Sequence, residues 1–99
     1  MSVELVVTAE AECDIADAFS WYEEQRVGLG EEFLTCVDAS LQGIKRMPEM
    51  HGIAYRKFRR ALVRRFPYAV FYEIEDERVV VYSVFHTARE PKKWRRRLQ

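Results

Sequence analysis

Ninety-nine residues, 48% apolar and 32% charged, describe a single soluble globular domain with no room for two independent cores. No apolar run approaches the roughly 20 residues that cross a bilayer, and the opening MSVELVVTAE lacks the basic start and cleavage site of a secreted chain, so a cytosolic protein is expected. The zero net charge hides a division: residues 1–55 hold eleven acidic and three basic side chains, residues 56–99 five acidic and thirteen basic.

Val3 to Val7 reads as a first strand. Thr8 can cap the helix that follows, and Glu10, Glu12 and Asp14 suit the positive end of its dipole. Ala11, Ile15, Ala18, Phe19 and Tyr22 recur at helical spacing as its buried stripe, with Trp21 off that stripe and the end near Gln25 or Arg26. Gly28-Leu29-Gly30 is a tight connector, spaced wrongly for a phosphate loop. A second helix opens with Glu31 and Glu32, buries Phe33, Val37, Leu41 and Ile44, and closes with Lys45 and Arg46 before Pro48 stops it. Helices joined so tightly should pack as an antiparallel pair on one face of a sheet.

The basic stretch Tyr55 to Arg60 is expected to be an extended arm or short edge strand, where exposed charge discourages wrong pairing. Ala61 to Phe66 should be a strand, turned by Pro67 onto a hairpin of Ala69–Ile74 and Val79–His86. Val70, Tyr72 and Ile74 share one face of that hairpin; Phe71, Glu73 and Glu75 share the other. Val79 to Tyr82 is apolar on both faces, as in a doubly covered central strand. No glycine lies in Glu75-Asp76-Glu77-Arg78, which favours a loop longer than two residues. Pro91 can open a last short helix or turn. The order is β-α-α-β-β-β, an α+β domain with a helical hairpin on a small, mostly antiparallel sheet.

Little here is arranged for chemistry. Cys13 and Cys36 match no zinc or redox spacing and read as plain thiols, and with two scattered histidines they support no metal site. His86, ending the last strand, is the best proton-transfer candidate, although a strand-end histidine is more often structural; His51 has no assigned role. Arg64, Arg65 and Arg89 could clamp phosphate or carboxylate, or could pair with Glu73 and Glu75 on a solvated face. Lys92 to Arg97 with Trp94 has the basic-plus-aromatic make-up of a nucleic-acid or acidic-protein contact.

The stretch Arg64 to Trp94 resembles the C-terminal half of the RelE/ParE family, the toxin halves of type II toxin–antitoxin pairs. The resemblance rests on Phe66-Pro67-Tyr68 before a strand, the hairpin, and the ending Val84-Phe85-His86-Thr87-Ala88-Arg89-Glu90-Pro91 followed by Trp94; Trp21-Tyr22, the helical hairpin and the length extend it over the chain. RelE-like members are ribosome-dependent endoribonucleases and ParE-like members inhibit DNA gyrase. In the RelE-like pattern an arginine would stand where Ala69 does, a basic residue at Leu62, and a tyrosine near Trp94 or Arg95; Arg89 matches, and Arg60 is a candidate match. Those departures, the FPY corner and the HTAREPKKW ending are closer to ParE.

The resemblance implies a non-enzymatic, cofactor-free toxin that arrests growth by binding gyrase, with Arg89, Lys92, Lys93, Trp94, Arg95 and Arg96 as target contacts. It also implies a cognate antitoxin, small, acidic and of the ribbon-helix-helix kind, in a hetero-oligomer through Trp21, Arg56, Lys57, Arg59, Arg60 and Arg64. Were the chain instead a ribonuclease acting on ribosome-bound messenger RNA, His86, Arg89, Arg64 and Arg65 would carry the reaction. A non-toxic peptide-binding module on the same fold is the third reading.

Overall fold

The computed structural model describes residues 3–88 and 96–98. The elements in order are β1 (Glu4–Val7), α1 (Ala9–Gln25), α2 (Leu29–Arg46), a 3-10 turn (Pro48–Met50), β2 (Ile53–Tyr55), β3 (Phe58–Leu62), β4 (Tyr68–Glu75) and β5 (Arg78–His86). The five strands form one sheet in the order β1-β5-β4-β3-β2. Only the β1–β5 pairing is parallel, because the helical hairpin carries the chain back across the sheet before β2 begins. This is the α+β architecture the sequence implies, with one strand more.

Local chemistry sets the helix ends. Thr8 Oγ1 accepts the Ala11 N–H at 3.2 Å, the cap expected from its position. Between the helices the Glu23 carboxylate accepts the N–H groups of Gly28 and Gly30, both at 2.9 Å. Gly28 has φ +91°, and a Cβ on Gly30 would lie 2.7 Å from Phe19 Cδ2, so the connector needs glycine at both places.

The main core lies between the helices and the sheet. Ala11, Ala18, Phe33, Val37 and Ile44 meet Val70, Tyr72, Val79, Val81 and Val84 there. The rings of Tyr22, Phe33, Phe66 and Tyr68 interlock at one end, Phe33 lying edge-on to Phe66 at 5.3 Å and to Tyr68 at 5.1 Å. Pro67 stays exposed between two buried rings, and its carbonyl accepts the Thr87 N–H at 2.7 Å, locking the corner to the end of β5.

Three details depart from the sequence expectations. The strand expected over Ala61–Phe66 runs from Phe58 to Leu62, pairing Arg59 with Tyr72 and Leu62 with Ala69. Tyr55 to Arg60 is therefore not an arm: Arg56 and Lys57 turn the chain from β2 into β3, with Arg56 at φ +52°. An arginine-rich strand is stable here because a long stem can lie along the sheet while its head finds carbonyls. The β4–β5 turn is two residues, Asp76 and Glu77, rather than a longer loop. Asp76 adopts φ +54°, a conformation aspartate tolerates better than most residues. Tyr82 Oη donates to Glu75 Oε2 at 2.9 Å and Arg78 to Glu75 Oε1 at 3.3 Å, tying the strand ends beneath the turn.

A bulge explains the apolar run in β5. Phe71 pairs with Ser83 but Tyr72 with Val81, which leaves Tyr82 as an extra residue. Val79, Val81 and Val84 consequently all face the helices, and Tyr82 and Phe85 face away. On that outer face they join Tyr55, Phe58, Ala69, Phe71 and Leu98 in a second, smaller cluster. The position of Pro91 lies outside the described residues.

Candidate binding surfaces

Two surfaces gather the features of interest. The first is a groove at the corner where α2, the 3-10 turn and β3 meet. It has a volume of about 600 Å³ and is lined by Cys36, Ser40, Gly43, Met47, Met50, His51, Leu62 and Arg64 among others. Small side chains on α2 make its wall shallow, while Leu62 and Met50 stand 63% and 71% exposed beside it. β2 ends the sheet here without covering Leu62, since its pairing reaches only Arg59 and Phe58. Arg46 and Arg64 supply positive charge at the rim. Two large apolar side chains thus stand in water beside a concave wall.

The groove is held by polar contacts, two of them partly buried. Arg59 donates to the carbonyls of His51 at 2.6 Å and Glu49 at 3.3 Å, and Tyr72 Oη donates to Pro48 O at 2.6 Å. Burial pushes the Tyr72 hydroxyl up from its ordinary pKa, and the nearby Arg59 charge partly opposes the shift. The 3-10 turn is thus clamped to the sheet from below.

The second surface is the outer face of the sheet. A cleft of about 550 Å³ runs between Arg56, Lys57, Phe58, Glu73, Tyr82, Arg97 and Leu98. Lys57 Nζ lies 3.1 Å from Glu73 Oε1, and the Arg56 guanidinium sits 5.3 Å from the Tyr55 ring centre. Burial, reinforced by the bond to Glu75, pushes Tyr82 up to about 12. The same bond, with Arg78, holds Glu75 below the usual carboxylate range.

The residues singled out in the sequence are distributed over both surfaces. Arg56, Lys57 and Arg60 belong to β2, β3 and their turn, with Arg60 across from Phe71. Arg59 faces the 3-10 turn and Arg64 the groove. Trp21 is 45% exposed on α1, edge-on to Tyr22 at 5.0 Å. Arg65, at φ +70°, pairs with Glu32 at 3.0 Å, so its charge is directed to the helical hairpin. His86 stacks edge-on against Tyr68 at 5.3 Å, and its Nδ1 accepts the Ala88 N–H at 3.1 Å. Arg96 is exposed; Arg89, Lys92, Lys93, Trp94 and Arg95 lie outside the described residues. Cys13 and Cys36 are both free thiols. Among the described residues no group of His, Cys, Asp or Glu could hold a metal ion, and no helix is long and apolar enough to cross a membrane.

At the position where a RelE-like arginine would stand, Ala69 is buried and paired with Leu62. Two apolar side chains lie side by side there. The family model for the ParE toxin of the type II toxin–antitoxin system, parDE, matches residues 5–91. The chain belongs to the ParE toxin family.

The ParE fold is seen again in a solved structure of the chromosomal ParDE TA system from P. aeruginosa. It aligns with a TM-score of 0.77 at 9% identity over 85% of this chain and 95% of that one. No curated protein sequence matches the chain. In this ParE chain no sequence pattern marks the groove. Met47, Met50 and Leu62 are scattered over sixteen positions, and only the folded corner brings them to one wall.

Proposed function

We propose that this ParE-family toxin arrests growth in the cytoplasm by binding DNA gyrase, without making or breaking a covalent bond, and that a cognate antitoxin neutralises it. The observation that carries this reading is the Leu62–Ala69 pair on the sheet. Metal-free RNA cleavage needs a proton acceptor, a proton donor and a cation beside the reacting phosphate. Methyl and isobutyl groups supply none of these. His86 is better suited to structure than to proton transfer, since its Nδ1 is engaged by the Ala88 amide. Arg65 is engaged by Glu32.

Target contact is assigned to the basic C-terminal segment, through Arg89, Lys92, Lys93, Trp94, Arg95 and Arg96. The antitoxin is a small acidic protein, of the ribbon-helix-helix kind, whose C-terminal part orders itself on binding. Its acidic side chains meet Arg56, Lys57, Arg60 and Arg64, and its apolar side chains enter the groove beside Leu62 and Met50. Arg59 contributes by holding the groove's floor, and Trp21 offers a contact on α1.

Expression of the chain without its antitoxin tests the proposal. Chromosomal DNA breakage and filamentous cells are expected, with messenger RNA intact. Intact DNA with messages cut on ribosomes would instead establish the ribonuclease reading, and harmless induction would favour a plain peptide-binding module.

A further inference from the structure

Both methionines among the described residues stand at one corner, and neither belongs to either core cluster. Met47 follows α2 and Met50 ends the 3-10 turn; they are 58% and 71% exposed. Each lines the groove beside Leu62, and each also lines an adjoining depression of about 450 Å³ with Arg46, Pro48 and Glu49. A flexible thioether usually fills gaps in a core. Here two of them are held out in water.

The backbone beneath them is fixed. The Met47 N–H donates to the Gly43 carbonyl and the Met50 N–H to the Met47 carbonyl, both at 3.1 Å. Between them the Pro48 carbonyl accepts Tyr72 Oη at 2.6 Å, from a tyrosine wholly buried in the main core. A chemical change at either sulfur therefore alters the surface of the groove and takes nothing from the core. Thioethers so placed are open to two-electron oxidants, and the product is a polar sulfoxide. Its oxygen is a hydrogen-bond acceptor in a groove that also carries Arg46 and Arg64. An apolar side chain entering the groove would have to strip water from that oxygen. The same oxygen can accept from the two guanidinium groups and compete with carboxylates for them.

We propose that Met47 and Met50 are a modification site: hydrogen peroxide oxidises them to sulfoxides, and the oxidised groove no longer holds the antitoxin. At each sulfur one peroxide oxygen forms the new S–O bond as the O–O bond breaks. The other oxygen leaves as water with both protons; the sulfur gives up two electrons and the peroxide takes them. An antitoxin seated in the groove covers the thioethers, so oxidation acts on toxin that has let go and keeps it from being recaptured. The inference rests on the reading that antitoxin side chains enter this groove.

The test uses as its probe the small acidic protein recovered with this chain from its native complex, with affinity read by calorimetry. Free wild-type toxin is treated with hydrogen peroxide, reduced with dithiothreitol to return Cys13 and Cys36 to thiols, and mapped by peptide mass. A gain of one oxygen at Met47 and at Met50 is expected, with thermal unfolding unchanged. Affinity should fall roughly tenfold or more, the scale of a polar group carried unpaired into an apolar contact, and methionine sulfoxide reductases should restore it. A Met47→Leu/Met50→Leu protein is compared only with itself, and its affinity should be the same before and after peroxide. An equal fall in that variant overturns the proposal, as does a fall that tracks unfolding, or sulfurs that take up no oxygen. Leu62→Asp probes the groove without touching a methionine. If it binds more weakly while oxidised wild type binds as before, the modification is overturned and the groove reading stands. If it binds as tightly as the wild type, the groove reading fails and takes the proposal with it.

Discussion

At the scale of single residues, polar side chains do work that hydrophobic pattern does not disclose. Glu23 ties two glycine amides, Asp14 ties a helix to a strand and a tail, and Tyr82 ties the two ends of the hairpin through Glu75. Tyr82 gives a pH prediction. Its pKa is raised to about 12 in the folded protein against an ordinary value near 10. The stability this confers is complete below about pH 10 and is lost as pH rises toward 12, because the unfolded chain ionises first. Tyr82→Phe should flatten that part of the stability–pH curve, and the phenolate absorbance of the wild type should show a tyrosine titrating late; a curve of unchanged slope would refute the assignment. Thr8 was readable as a cap because its partner is three residues away. Asp14 read only as a charge suited to a helix start, since its partners lie seventy and eighty-three residues on.

Among the elements, the helices and the hairpin were legible because each repeats its own period. The helical hairpin, the β4–β5 pair and the two faces of β4 follow from alternation and spacing alone. The boundaries of the basic stretch are not legible in the sequence, because its arginine count suggests solvent while Phe58 and Ala61 are buried on opposite faces of β3. The groove was hidden for a different reason: it belongs to three elements at once. Leu62→Asp and Met50→Asp are expected to leave the fold intact, since both side chains are already more than 60% exposed. Each should weaken binding of the proposed acidic antitoxin by roughly tenfold or more, the scale of one apolar side chain left out of a contact. Calorimetry reads this directly, and undiminished affinity in both variants would place the antitoxin elsewhere.

For the whole molecule, the charge division has become a spatial one. The helices carry most of the acids, while Arg56, Arg59, Arg60, Arg64, Arg65 and Arg78 lie in the later strands and the turns between them, with Glu32–Arg65 and Asp14–Arg97 as pairs that cross between the halves. Arg56, Arg60 and Arg64 remain exposed on the strand side, which suits an acidic partner and makes the rate of association sensitive to salt. Family membership and fold are common ground for this protein and its relatives; the mode of action proposed here is binding. The sharpest test uses one sample of purified, antitoxin-free protein in two reactions. It should block gyrase-driven supercoiling of relaxed plasmid while messenger RNA on translating ribosomes stays whole. Cut message and undisturbed supercoiling would contradict the account.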